Sequence, residues 1–399
     1  MSDSLLRIAV PKGKTVFRQS DAGDGAYIIE SGRVGVLVAR DGAEVQIAER
    51  GPGDLFGEMA IIDNRPRSAS IVALEDCVLL KLTGSQLAHR VAAADPVIRL
   101  VLDVILARFR DTLGQGAPAP AASSDHRTAA LAQMRLEQEL EAAIAAGAFE
   151  LHYQPIVDLR NGETAGFEAL VRWRHAERGL VSPGAFIPAA EASGLIVPLS
   201  EWCLHQACAG LEAFRQALPP GRKLFVSVNV SGVDLQRPDF FERYKAILAG
   251  AGTDPAGIKL EVTEGVLMTD PDRVIDTLKA CRALGSTIAL DDFGTGYSSM
   301  SYLSRFPIDT LKIDRSFVAT LATDNASRSI VNAIVALGWG LDIPTVAEGI
   351  ESAGDAETLQ AIGCAFGQGY HFSKPVPERA ALAYLRAGSR PAQGATNAG

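Results

Sequence analysis

STIALDDFG, residues 286–294, is a short apolar run that ends in two adjacent carboxylates, Asp291 and Asp292, and closes on a glycine. The same pattern recurs outward in both directions. FELHYQPIV (149–157), TAGFEALVRW (164–173), KLFVSVNVS (223–231) and GIKLEVTE (257–264) precede it, and TLKID (310–314), IPTVAEGI (343–350) and the short FGQGYHF (366–372) follow. Segments of helical spacing separate these runs, which is the signature of a mainly parallel α/β domain. About eight strands with intervening helices over roughly 240 residues match a TIM-type (β/α)8 barrel better than an open sheet.

In a parallel barrel every strand opens its carboxyl end on one rim, so residues far apart in sequence converge. The runs above end in Gln154, Glu168, Asn229, Glu261, Asp291 with Asp292, Lys312, Glu348 and Gln368. That many carboxylates in one place repel and raise one another's pKa unless a cation neutralises them. A hard divalent ion with oxygen ligands does so, and the Asp291-Asp292 pair suits a bridge between two ions in a site built for phosphate chemistry. Any one acidic residue at a strand end is equally explained as a helix cap, but the set as a whole is not. Lys312 adds positive charge where a phosphoryl transition state needs it. Glu348 and Asp292 are alternative proton acceptors.

The chain has 399 residues, 47% hydrophobic and 21% charged, enough apolar material for two cores. Its formal net charge of -9 argues against a general nucleic-acid binder. Cys77, Cys203, Cys208, Cys281 and Cys364 form no CxxC pair and read as core fillers. No apolar run approaches the ~20 residues of a membrane span, and the first residues lack the pattern of a signal peptide. The expected location is the cytoplasm.

From about Leu5 to Leu82 the pattern changes to short β-type runs with close turn signals at Ser31-Gly32, Asp41-Gly42 and Gly51-Pro52-Gly53, which read as antiparallel hairpins of a small β-roll. A closing helix starts at Asp95, with Pro96 in its first turn. Gly114–Ser124, GQGAPAPAASS, has the composition of a linker. After it, a helix from Arg127 to Ala146 carries Leu131, Met134, Leu140 and Ile144 as an ordinary packing stripe. The expected division is 1–113 sensory domain, 114–135 linker and signalling helix, 136–390 barrel and 391–399 disordered tail.

The motifs FEALVRW, SVNVSG, LEVTEG, ALDDFGTGYSSMSYL, LKIDRSFV, TVAEGIE and GQGYHFSKP together resemble EAL-domain phosphodiesterases of cyclic di-GMP, over about Leu136 to Leu385. The resemblance implies a Mg2+ or Mn2+ two-metal site with Glu168, Asn229, Glu261 and Asp291 as ligands and Asp292 placing the second ion. It gives Lys312 and Glu348 the attacking water, Gln154, Leu170, Arg172 and Gln368 the substrate, and Glu264 the support of the loop Asp292–Ser299. The implied product is linear pGpG, and a homodimer is expected. The alternative function is a catalytically inactive cyclic di-GMP receptor. Relatives of that kind lack metal ligands or carry a degraded loop, and here every expected position is filled.

GEMAIIDNRPRSAS, residues 57–70, follows a turn and precedes an apolar strand. Gly57 and Ala60 permit a tight turn whose backbone N–H groups face an anion, Glu58 suits a ribose hydroxyl, and Arg67 presents a fork for a cyclic phosphate. This string resembles the phosphate-binding cassette of cyclic-nucleotide-binding domains, the family of the catabolite activator, over about Ala9 to Leu113. Gly57, Glu58, Met59, Ala60, Arg67 and Ser68 are the implied contacts, with cyclic AMP preferred and cyclic GMP the alternative. Asp111, Thr112 and Leu113 occupy the stretch that reaches the purine in that family. A barrel follows the linker where a transcription factor has its DNA-binding helices, so neither DNA nor membrane is an expected partner.

Overall fold

The computed structural model describes residues 6–40, 43–84, 87, 91, 95–112, 124–219, 221–267, 270–294 and 305–388. It divides into two compact units, Met1–Leu136 and Glu137–Gly399. Most of the linker, Leu113, the Asp41-Gly42 turn, residues 295–299 of the loop after Asp292 and the carboxyl-terminal tail lie outside the described residues.

The first unit holds β1 (Leu6–Val10), β2 (Thr15–Phe17), β3 (Gly25–Ser31), β4 (Val34–Arg40), β5 (Ala43–Arg50), β6 (Leu55–Phe56), β7 (Ser70–Ala73) and β8 (Cys77–Thr83). They form two antiparallel sheets in the orders β1-β8-β3-β6 and β2-β7-β4-β5, the expected β-roll. Tyr27, Ile29, Val34, Phe56, Ile71 and Leu79 fill its core. The Ser31-Gly32 turn is not the hairpin its sequence suggested, because β3 and β4 belong to different sheets. Gly32, at φ 86, carries the chain across, and a Cβ there would lie 2.5 Å from the Asp76 carbonyl. Alternation marks strands and turns, but it does not say which sheet the next strand joins.

Helix α1 (Met59–Ile62) follows β6, and α2 (Pro96–Thr112) is the closing helix. The Asp95 carboxylate accepts from the Val97 amide at 2.8 Å, which caps α2 as a residue before Pro at N1 should. Helix α3 (Ser124–Ala145) begins three residues ahead of the expected Arg127. Its Leu140 is fully buried, whereas Leu131 and Met134 are exposed.

In the second unit β9 (Phe149–Asp158), β10 (Thr164–His175), β12 (Phe225–Asn229), β13 (Ile258–Thr263), β14 (Thr287–Phe293), β15 (Thr310–Ile313), β16 (Thr345–Ala347) and β17 (Phe366–Gly367) close a barrel. The order runs β10-β12-β13-β14-β15-β16-β17-β9, and β9 pairs back onto β10. Two short strands, β11 (Gly179–Val181) and β18 (Val376–Pro377), add at the margins. Both faces of these strands are covered, so β13 is buried at every position but Thr263 and its sequence is an apolar run with little alternation. Among the described residues no helix is long and apolar enough to cross a membrane. All five cysteines are buried free thiols.

Two expectations about the barrel need correction. Strand β9 runs antiparallel to both of its neighbours, so Gln154 lies in mid-strand and not at a carboxyl end. It still reaches the mouth because it stands opposite Glu168 in register. FGQGYHF is a strand only over Phe366–Gly367. After Gln368 the chain turns on the Gly369 carbonyl, which accepts from the Phe372 and Ser373 amides at 3.1 and 3.2 Å.

Candidate active site

Five strands deliver charge to one point. The Lys312 ammonium, 1% exposed, lies 2.6 Å from Glu261 Oε2, 2.6 Å from Glu348 Oε1, 3.1 Å from Asp291 Oδ1 and 3.8 Å from Glu168 Oε2. Glu168 is held from the other side. Asn229 Nδ2 donates to its Oε1 at 2.9 Å, and Gln368 Nε2 donates to its Oε2 at 2.6 Å. Gln368 Nε2 also donates to Gln154 Oε1 at 3.0 Å, and Gln154 Nε2 donates to the Ser373 carbonyl at 3.1 Å. The structure thus joins Gln154, Glu168, Asn229, Glu261, Asp291, Lys312, Glu348 and Gln368 in one network.

Asp292 joins through a backbone device. The ladder from β14 to β15 skips from Leu290 to Phe293, and Asp292 sits at φ 55, a left-handed conformation that Asp tolerates better than most residues. The bulge breaks the alternation that would send successive side chains to opposite faces. The Asp292 amide donates to Asp291 Oδ1 at 3.0 Å. Burial and the Asp291 charge raise the Asp292 carboxyl, which also feels Lys312 and Glu168.

Electrostatics follow from four carboxylates, Glu168 and Glu261 buried and Asp291 and Glu348 partly so, sharing one ammonium. Burial pushes Glu261 and Glu348 up to about 8, assisted by neighbouring carboxylates and opposed by Lys312. Burial also pushes Glu168 up, but Lys312 and the amides of Gln368 and Asn229 outweigh it and hold that carboxyl low. Burial pulls Lys312 down, and the four carboxylates more than reverse it. The cluster therefore retains protons near neutrality unless further positive charge arrives.

A hard divalent metal fits this donor set. The ligand candidates offer only oxygen, and Glu261 Oε1 is buried without a hydrogen-bond partner, as is Gln368 Oε1. Among the described residues no three Asp, Glu, His or Cys side chains stand ready as a cage, since the lysine ammonium sits at their centre.

Of the other expected residues, Leu170 lines a cavity of about 480 Å³ together with Glu168, Asn229, Ser200, Ser231 and Ile187. Arg172 is half-buried, and burial lowers its pKa against the pull of Glu168. Glu264 opens a short helix after β13, and its Oε2 is buried without a partner. The part of the loop it was expected to support, residues 295–299, lies outside the described residues.

Sequence reasoning passed over Lys259, Ser227 and Thr310, which lie inside the barrel. Each stands two residues before a mouth residue, and that period was the available signal. Burial draws Lys259 down to about 8, against Glu261 and Asp309, which support its charge.

In the first unit, Gly57, Glu58, Met59, Ala60, Arg67 and Ser68 all line one cavity of about 250 Å³. Gly57 has φ 82, and a Cβ there would lie 2.7 Å from Arg67 Nη1. The Arg67 fork is not presented to the cavity as its sequence setting suggested. Nη1 donates to the Gly57 carbonyl at 2.6 Å, and Nη2 donates to Asp24 Oδ1 at 2.9 Å and the Gly25 carbonyl at 2.8 Å. The guanidinium stacks 4.0 Å above Phe17, leaving Nε buried and unpartnered. Burial raises Glu58, opposed by Arg50 and Arg67. Helix α2 contributes Phe109 to the lining. The side chains of Asp111, Thr112 and Leu113 lie outside the described residues. Arg110 fastens α2 to the cassette, with Nε 2.6 Å and Nη2 3.0 Å from the Asp63 carboxylate.

The barrel carries the carboxylate and amide ring of one enzyme class, and the roll carries a nucleotide-binding cassette. Comparison with known proteins gives the same division. Residues 137–375 match the EAL domain, and residues 7–93 match the cyclic nucleotide-binding domain. The chain belongs to the EAL domain family, and its amino-terminal part is of the cyclic-nucleotide-binding type. It is 41% identical to the cyclic di-GMP phosphodiesterase NbdA of Pseudomonas aeruginosa over 255 residues, covering 64% of this chain and 32% of that protein. It is 40% identical to the bifunctional diguanylate cyclase/cyclic di-GMP phosphodiesterase MucR of the same organism over 252 residues, 63% of this chain and 36% of that one. The chain spans about a third of the length of the curated relatives it matches. Among solved structures, the EAL enzyme Bd1971 in its cAMP-bound form is 39% identical with a TM-score of 0.70, covering 95% of this chain and 100% of that one. The form of Bd1971 with cAMP and cyclic di-GMP bound gives 40% and 0.69 at the same coverage.

Proposed function

We propose that the chain hydrolyses cyclic di-GMP to linear pGpG with Mg2+ or Mn2+ at the barrel mouth, and that a cyclic mononucleotide bound to the amino-terminal roll regulates it. The observation that carries this reading is the buried ring in which Glu168, Glu261, Asp291 and Glu348 share one ammonium, an oxygen-rich site short of positive charge. Membership of the EAL domain family supports it independently.

Glu168, Asn229, Glu261, Asp291 and Asp292 would hold the metal. Divalent metal supplies Lewis-acid neutralisation of the phosphoryl oxygens and makes water a competent nucleophile near neutral pH. Lys312 adds a fixed positive charge that is already desolvated before the reaction begins. Glu348, 2.6 Å from the Lys312 ammonium, takes the proton of the attacking water, with Asp292 as the other candidate. Gln154 and Gln368 orient Glu168 and the substrate, while Leu170 and Arg172 seat the nucleotide. Glu264 steadies the loop that begins at Asp292.

In the sensor, Glu58 accepts from the ribose and Arg67 Nε meets the cyclic phosphate, with Gly57, Met59, Ala60 and Ser68 shaping the cavity. The two Nη2 donors become available only if the nucleotide displaces Asp24 or the Gly25 carbonyl. Cyclic AMP is the preferred effector and cyclic GMP the alternative. The working division is sensor 1–113, linker and helix 114–135 and barrel 136–390, acting as a homodimer, with α2 and α3 as the coupling elements. One assay tests the whole reading: cyclic di-GMP hydrolysis with Mg2+ or Mn2+, with and without each mononucleotide. Release of pGpG at a rate that responds to the mononucleotide is the expected result. Binding of cyclic di-GMP without turnover would establish the receptor alternative instead.

A further inference from the structure

A lysine buried in a barrel core is costly unless its charge has work to do. Lys259, 8% exposed, donates to Thr310 Oγ1 at 2.9 Å and lies 4.1 Å from the centre of the Phe225 ring. Both contacts are to neutral groups; the charges that support the ammonium are those of Glu261 and of Asp309, the latter already paired with Arg282 at 2.8 Å.

Register places this ammonium beneath the charged ring. Lys259 stands two residues before Glu261 on β13, and Thr310 stands two before Lys312 on β15, so each shares a strand face with its partner above. Between them on β14, Ala289 pairs with both Glu261 and Thr310, and its small side chain lets the lysine reach across. On the other flank Lys259 pairs with Ser227, which precedes Asn229 by two and whose Oγ is buried without a partner. Three strands thus build a polar layer one step below the mouth, and Lys259 is its only ammonium among the described residues.

We propose that Lys259 is a positioning residue, a buried counter-charge that relieves repulsion among Glu168, Glu261, Asp291 and Glu348 and thereby sets the affinity of the mouth for divalent metal. A fixed positive charge below the ring steadies the metal-free protein and weakens the pull on an arriving cation, so metal exchanges instead of locking in. The inference rests on the reading of the mouth as a metal site.

The test is calorimetric titration of Mn2+ at neutral pH without substrate, on wild type, Lys259→Met, Lys259→Gln and Lys259→Arg, with melting followed with and without the ion. The neutral variants are expected to bind Mn2+ at least about tenfold more tightly, with a lower metal-free Tm and a larger rise on adding metal, while Lys259→Arg stays within about twofold of wild type. Should Lys259→Met fail to fold, Lys259→Gln carries the comparison, because it keeps a donor for Thr310. Unchanged or weaker Mn2+ binding in the neutral variants overturns the counter-charge and leaves a core-filling residue. Wild type that binds no divalent ion overturns the metal site itself, a distinct result.

Discussion

Lys312→Met removes the one ammonium around which the mouth is organised, and the structure sets the scale of the loss. Two carboxylate oxygens lie 2.6 Å from the buried Nζ and a third lies 3.1 Å away, that of Glu261 fully buried and those of Glu348 and Asp291 partly so. Breaking a buried pair by removing one partner costs about 3–5 kcal/mol, because the remaining charge is left uncompensated. For a unit of this size each kcal/mol is worth about 2–4 °C in Tm, so the metal-free variant should melt roughly 6–20 °C below wild type. Saturating Mn2+ should restore much of that difference, since a divalent ion supplies the missing charge. Activity should not return with it: loss of a preorganised charge at the phosphoryl group costs about 10²–10³ in kcat. Differential scanning calorimetry in chelator and in Mn2+, paired with pGpG formation, separates the two effects. A metal-free Tm equal to that of wild type would refute the claim that Lys312 holds the ring together.

Glu168→Ala should abolish hydrolysis, by at least about 10³ in kcat, with the fold retained but the metal-free Tm lowered, because Lys312 loses one of its carboxylates and the Asn229 amide loses its acceptor. Full activity in that variant would remove Glu168 from the site. Glu261 and Glu348, raised from 4.5 to about 8, hold protons in the folded protein that the unfolded chain has released. Metal-free stability should therefore fall as pH rises from about 4.5 to about 8, with the trend flattened by saturating Mn2+. A Tm in chelator that climbs across that window contradicts the assignment. Gly57→Ala, at φ 82 with its new methyl 2.7 Å from Arg67 Nη1, should weaken cyclic AMP binding roughly tenfold, about 1.4 kcal/mol. Titration at the sensor reads this directly, and an unchanged Kd would show that the Gly57–Arg67 contact does not shape the cavity.

Much of the barrel was legible because doubly covered strands are apolar runs, and their ends announce the mouth. Glu261, Asp291, Lys312 and Glu348 meet as the strand-end rule predicts, whereas Glu168 joins them from the middle of β10, which runs on to His175. The direction of β9 was not legible. FELHYQPIV carries no mark of being antiparallel, and only its pairing to both neighbours gives Gln154 its place. Lys259 was hidden for another reason: a lysine inside a strand reads as an outward residue until the period from Glu261 is counted inward. In the sensor, the cassette residues gather as their motif implies, but the partners that occupy the Arg67 fork are remote in sequence. Asp24 and Gly25 precede it by more than forty positions, and no local pattern connects them.

The reversal of β9 also decides where the polypeptide enters the barrel. Phe149, its first residue, pairs with Trp173, well past Glu168 on the outward side of the mouth. It packs there against the rings of Trp173, Phe186 and Trp202. An all-parallel barrel takes its first strand in through the floor, a strand's length, ~17 Å, from its chemistry. Here the chain leaving α3 enters at the mouth, with Phe149 five residues ahead of Gln154, so a tug on that helix would be felt first beside the carboxylate ring.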